Sequence, residues 1–338
     1  MHADLCPAFG PPLGRGRLRV VPEDFIVIEQ PLVEPAGQGE HAWLWVRKCG
    51  QNTDWVAGQL ARLAGVKPRE VSYAGLKDRH AVTEQWFSVQ LPGRADPDWS
   101  VLDAEGVTVL EARRHSRKLR RGALRGNRFR LRLRDFTCAV DALLERTEVI
   151  ATRGLPNYFG AQRFGRDEGN LAAARRMFAD PRRRLPRHKR SLYLSAARSY
   201  LFNRILAERV RRGDWDRCLS GDVMQLDGRS ALFAAPECDE AIQARLAGLA
   251  IHPTGALWGR GESLAGAECA RLEAACLEPE AALCEGLERA GMELDRRALR
   301  VRVEGLRVTP EGNDLWLEFG LPAGSYATVL LDQLVEWA

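Results

Sequence analysis

Apolar and polar residues alternate with the two-residue period of strands through most of the first 135 positions, and this sets the expected architecture. Leu18 to Val21 and Phe25 to Glu29 read as strands, and so does Ala42 to Lys48, with Trp43 and Trp45 on one side. Asn52-Thr53-Asp54 then offers a helix N-cap, and Trp55, Val56, Leu60 and Leu63 build an apolar stripe that ends at Gly65. Alternation returns at Val71 to Ala74, Thr83 to Leu91, Val107 to Arg113 and Arg128 to Arg134, before a helix from about Val140 to Arg153 that Gly154 and Pro156 stop. Beyond Pro156 the period lengthens. Leu194 to Arg212 is a long helix closed by Gly213, Val223 to Phe233 a hairpin around Asp227-Gly228, and two or three further helices fill Glu237 to Leu294. Strand alternation resumes at Val301, Val303, Leu315, Leu317 and Phe319, followed by a closing helix from Ser325 to Trp337. A strand-rich texture that resumes after a helical middle predicts a discontinuous domain carrying an insertion, in an α+β fold.

The composition agrees with two domains of ordinary soluble type: 338 residues, 45% of them apolar. No apolar run is long enough to span a membrane, and the first nineteen residues, rich in Pro and Gly, lack the apolar core of a signal peptide. A cytoplasmic protein is expected. The eight cysteines include no Cys-x-x-Cys pair, so neither a zinc site nor a disulfide framework is expected. Cys269, Cys276 and Cys284, near helical spacing, read as small buried residues.

Net charge is only +5, yet its distribution is lopsided. Arg113 to Arg134 holds eleven Lys or Arg residues and no acid; a second basic cluster runs from Arg182 to Arg184 and Arg187 to Arg190, while Glu237 to Asp295 holds twelve acids against four arginines. In the first run Arg128, Arg130, Arg132 and Arg134 alternate with Phe129, Leu131 and Leu133, giving a strand with one guanidinium face. Like charges on one face repel unless a polyanion or carboxylates lie opposite, and the phosphates of RNA are the expected partner.

One carboxylate has an unusual address. Asp78 lies between Lys77 and Arg79, with His80 next, on a loop joining two strands. Flanking cations favour its ionised form, which suits a nucleophile or base; the structural alternative is an aspartate that closes its own turn.

The blocks around it carry a resemblance. Gly75-Leu-Lys-Asp-Arg-His-Ala-Val-Thr-Glu-Gln-Trp86 resembles the catalytic motif of the TruD family of tRNA pseudouridine synthases. Pro22 to Val27, Gly122 to Phe129, Asn157 to Gly165 and Leu321 to Thr328 resemble further family blocks in the same order, so the likeness spans nearly the whole chain. It implies a pseudouridine synthase core of mixed, largely antiparallel sheet flanked by helices, residues 1–152 and 303–338, interrupted by an α+β insertion domain at 153–302. It implies an isomerase that converts uridine to pseudouridine in tRNA, at uridine 13 of the D-arm, particularly in glutamate tRNA. Asp78 would act on a flipped-out uridine, by attack at C1′, by attack at C6, or by removing a ribose proton; all three remain open. By position, Arg19 would supply the cation beside Asp78, Phe25 would line the nucleotide pocket, Asn127 would meet the uracil edge, and the rings of Phe129 and Tyr326 would stack on the base. Asn157 to Gly165 reads as a structural turn, with Gln162 and Arg163 as possible RNA contacts. No metal or cofactor is expected, tRNA is the expected partner, and a monomer the expected state. Two other classes fit parts of the pattern: a noncatalytic RNA-binding protein, and a metal-dependent nuclease, which would want more clustered carboxylates than Lys77 and Arg79 allow.

Overall fold

The computed structural model describes residues 5–180, 182 and 184–338, so Arg183 of the second basic cluster lies outside the described residues. The chain forms two compact units, one of residues 14–147, 304–324 and 336–338, the other of residues 1–13, 148–303 and 325–335. Both contain helices and strands, which gives the expected α+β class.

The first unit is built on one ten-stranded sheet. Its strands begin with β1 (Arg15–Leu18), β2 (Phe25–Pro31), β3 (His41–Cys49), β4 (Val71–Tyr73), β5 (Val82–Gln90), β6 (Val107–His115) and β7 (Leu124–Thr137). Strands Glu304–Glu311 and Asp314–Pro322 extend it beyond β7, and Glu336–Trp337 adds to β1. Pairing is antiparallel except between β2 and β5 and between β1 and Glu336–Trp337. Helix α1 (Thr53–Leu63) covers one face: Val56 and Leu60 pack on Leu44, Val46, Phe87 and Val89, all fully buried. Trp43 and Trp86 point to the opposite face, where they meet Ala74 and Leu119.

In the second unit the helix Arg187–Arg212 lies in a cluster with Leu171, Leu272 and Leu283 from three other helices. A four-stranded sheet there includes the expected hairpin, Asp222–Leu226 against Leu232–Ala235, with Gly228 at φ 66° in its turn.

Four expectations are corrected. The first strand ends at Leu18 rather than Val21, because Arg19 adopts φ 58° and Pro22 opens a short helical turn, leaving Val20 and Val21 exposed. The closing helix covers only Ala327–Asp332, and the chain then turns back as a strand. Ile251–Leu257 is an additional strand inside the helical middle; with nearly every position buried, it lacks the alternation that would have marked it. Finally, Cys218 and Cys238 form a disulfide. They flank the hairpin, whose register sets Ala235 opposite Asp222 and brings the two Cα atoms within 5.7 Å.

Candidate active site

The loop between β4 and β5 carries Asp78, and its backbone is held on every side. Lys77 N–H donates to Oγ1 of Thr53, the buried first residue of α1 (3.0 Å), and Gln85 Nε2 donates to the Gly75 carbonyl (3.0 Å). Lys48 Nζ donates to the carbonyl of Asp78 itself (2.8 Å). Arg79 Nε donates to the Gly50 carbonyl (2.8 Å), and Gly50 N–H returns a bond to the Arg79 carbonyl (3.1 Å). The Lys77 side chain turns inward to a buried ion pair with Glu29 (2.9 Å), whose other oxygen accepts from Trp86 N–H (3.3 Å). Backbone so tied leaves the aspartate little freedom to move.

Its carboxylate is only partly engaged. Oδ1 accepts from His80 N–H (3.0 Å), the local turn expected of a loop aspartate, and Oδ2 meets Arg19 Nη2 at 2.9 Å. Both side chains keep about a third of their surface, 34% for Arg19 and 35% for Asp78, so an incoming group can reach the carboxylate. Arg19 also lays its guanidinium 4.1 Å from the centroid of Phe25. Its left-handed backbone is sparsely populated for a residue with a Cβ, and such conformations concentrate at functional sites.

Phe25 in turn meets the edge of Phe129 (6.4 Å between centroids, 80°), and Phe129 stacks on Phe319 (5.3 Å, 23°), its register partner. Phe25 and Phe129 are buried, 4% and 7% exposed, so each is a packing residue as well as a candidate substrate contact. Asn127 lies opposite Glu29 in the β2–β7 register, and its buried Oδ1 has no hydrogen-bond partner among the described residues. An acceptor left over at that depth is costly unless something else completes it. The structure therefore brings all five into one unit, with Phe25, Asn127 and Phe129 on its sheet and Asp78 and Arg19 on loops that join its strands. Tyr326 belongs to the other unit, where its hydroxyl accepts from Arg163 Nε (3.0 Å) and its ring meets Phe159 edge-on (6.2 Å). Arg163 also donates to Ser195 Oγ (3.1 Å), and Asn157 bonds the Ala298 and Leu299 backbone, so these residues of the third block have structural partners.

Glu29, Lys48 and Gln85 were not anticipated. The available signal is phase: Glu29 follows Phe25 and Val27, Lys48 follows Ala42, Leu44 and Val46, and Gln85 precedes Phe87 and Val89, each a polar residue in register with a buried apolar face. Burial depresses the Lys48 ammonium from 10.5 to about 8; the charge of Asp78 opposes that shift and Lys77 adds to it.

The arginine face of β7 differs from expectation. Arg134 pairs with buried Asp24 (2.9 Å), Arg132 with Asp314 (2.7 Å) and Arg130 with Glu318 (3.2 Å), while Arg130 and Arg132 both approach the Trp316 ring. The opposite charges that the strand needs come from neighbouring strands and the turn before β2, so three of these four arginines are not a free phosphate ladder.

Comparison with known proteins gives this arrangement its class. Residues 11–174 and 169–334 match the family described as tRNA pseudouridine synthase D (TruD). The tRNA pseudouridine synthase D of Methylococcus capsulatus is 55% identical over 335 residues, covering 99% of this chain and 95% of the relative; that of Aeromonas salmonicida is 48% identical over 327 residues, covering 97% and 92%. A Methanosarcina mazei crystal structure described under the same name superimposes with a TM-score of 0.73 over 98% of this chain and 95% of that one; at 23% identity the likeness concerns the fold. Sheet, aspartate loop and matches together define a pseudouridine synthase. Within that class the chain belongs to the tRNA pseudouridine synthase D family.

Proposed function

We propose that this protein isomerises uridine to pseudouridine in tRNA, at uridine 13 of the D-arm and in glutamate tRNA among its substrates, with Asp78 as the catalytic nucleophile or base. The observation that carries this reading is the Asp78 carboxylate, paired with Arg19 at 2.9 Å while the loop backbone around it is held from two strands and a helix start. Family membership supplies the reaction class.

The conversion breaks the bond from N1 to C1′, turns the uracil, and joins C5 to C1′, with the C5 proton lost and one gained at N1. It is an isomerisation and needs no co-reactant. One ionised carboxylate is enough where glycoside hydrolysis commonly takes two, because the departing charge spreads over the uracil ring and no water has to be activated. Arg19 aims the carboxylate, and the Asp78 lone pairs outside the Arg19 and His80 bonds face the substrate. Asn127 Oδ1 is the acceptor for a uracil N–H. Phe25 and Phe129 form the apolar wall that a base must enter to leave water behind. The core unit is the catalytic one on this reading, and the protein works in the cytoplasm, as a monomer.

The test is tritium release from C5-labelled uridine in transfer RNA, with pseudouridine mapped in cellular tRNA with and without the gene. Loss of pseudouridine at position 13 alone supports the reading. A tRNA pool with unchanged modification, or no tritium release by purified protein, contradicts it.

A further inference from the structure

The basic run from Arg113 to Arg134 divides in the structure. Of its β7 arginines, Arg130, Arg132 and Arg134 are paired with carboxylates, as are Arg113 with Glu111 and Arg114 with Asp96. Between them, Arg117, Lys118, Arg120 and Arg121 are exposed, and among the described residues none of the four has a carboxylate partner. These residues line a concavity of about 420 Å³ together with Ser72 and Leu119.

The segment is rigidly placed. Leu119 is 3% exposed and packs on Trp43, Ala74 and Trp86; its N–H donates to Ser88 Oγ (3.0 Å). Trp43 Nε1 donates to the Arg117 carbonyl (2.9 Å), and Gly122 N–H to the Ala74 carbonyl (2.8 Å). Around the one buried leucine all four cations stay exposed, with the Lys118 ammonium donating to the Arg69 carbonyl. The guanidinium of Arg121 lies 3.5 Å from the centroid of Tyr73, which fixes its plane. Gathering four cations without counter-charges costs free energy unless an anion completes the cluster. Ser72 adds a hydroxyl donor, and the Ala74 tether is four residues from Asp78 along the chain.

We propose that this concavity is a phosphate-binding site for the RNA backbone, holding the strand that enters the Asp78 site. The inference rests on the tRNA reading above but concerns a different property. Arginine suits the role because its planar fork binds phosphate oxygens in pairs, and preorganised donors lose little freedom on binding.

The experiment measures tRNA affinity against salt concentration for the wild type, R117A/R120A and the charge-keeping R117K/R120K. Removing two phosphate contacts should flatten the slope of log K against log salt by about 1.5 to 2 and weaken binding roughly 10- to 100-fold near 0.15 M salt. R117K/R120K should retain most of the slope, which separates lost charge from misfolding. An unchanged slope in R117A/R120A overturns the proposal, and so does a slope lost equally in the lysine variant. Binding of inorganic phosphate as tight as that of tRNA per site would also overturn it, marking a free-anion site. Tritium release, run alongside, reports on the tRNA reading separately: normal release with an unchanged slope removes this site alone, and a flattened slope without release removes the catalytic reading alone.

Discussion

Substituting Lys48 by Met tests whether the aspartate loop is held by a charge kept out of water. Lys48 is fully buried, with its ammonium on the Asp78 carbonyl and its pKa depressed from 10.5 to about 8 by burial. A depressed lysine is a cost at neutral pH. Between about 8 and 10.5 the unfolded chain binds a proton that the folded one has released, so stability rises with pH across that window and is flat below it. The full amplitude is about 3 kcal/mol, with a slope of at most about 1.4 kcal/mol per pH unit. Lys48→Met removes the charge penalty but leaves the Asp78 carbonyl without its donor, a loss of about 1 to 3 kcal/mol, so the two effects nearly cancel at pH 7. Urea denaturation followed by tryptophan fluorescence, which reports on the Trp43 and Trp86 face, should be run at pH 7, 8, 9 and 10 on both proteins. Wild type should gain on K48M by roughly 2 kcal/mol between pH 8 and pH 10, while single-turnover tritium release by K48M falls about 10- to 100-fold. Parallel pH dependence of the two proteins would refute the argument, and so would full activity in K48M.

Two further outcomes follow from the packing. Asp24 is 1% exposed; burial would raise its pKa, but the hydrogen bonds from Arg134 and Val21 and the charges of Arg134 and Arg132 outweigh it, and the net shift is downward. Asp24→Asn should therefore destabilise the protein by about 3 kcal/mol at pH 7, and the difference from wild type should shrink as pH falls below about 4, where the unfolded chain's carboxylate takes up a proton while the native one is still held ionised; a difference independent of pH would contradict the pairing. Phe129→Ala removes a ring buried against Phe25 and Phe319, so it should lower stability by about 3 to 5 kcal/mol in denaturant titration and also slow tritium release under conditions where it stays folded; unchanged turnover would place Phe129 in the core only.

Much of the sheet was legible because its signal is local. The helix Val140–Arg153 and the hairpin at Asp227-Gly228 fall where period and turn residues put them, and the inward phase of Phe129, Leu131 and Leu133 is written in β7 itself. What escaped depends on distant partners. Arg134 finds Asp24 across 110 residues and Arg132 finds Asp314 across 182, so the alternating arginines looked unopposed when read along one strand. Glu29 and Lys48 were legible in principle as polar residues in apolar phase, but which backbone or charge would satisfy them could not be read without the fold. The aspartate loop shows both sides: its motif marked Asp78, whereas its supports come from β2, β3, β5 and the first residue of α1.

Asp78→Asn keeps the side chain's shape and its bond from His80 N–H while removing the charge that faces Arg19. Measured by single-turnover tritium release from C5-labelled tRNA with the enzyme in excess, this variant should lose at least about three orders of magnitude in rate, with tRNA affinity within a few-fold of wild type. A D78N protein that binds tRNA and releases tritium at close to the wild-type rate would contradict the assignment of this carboxylate to the chemistry.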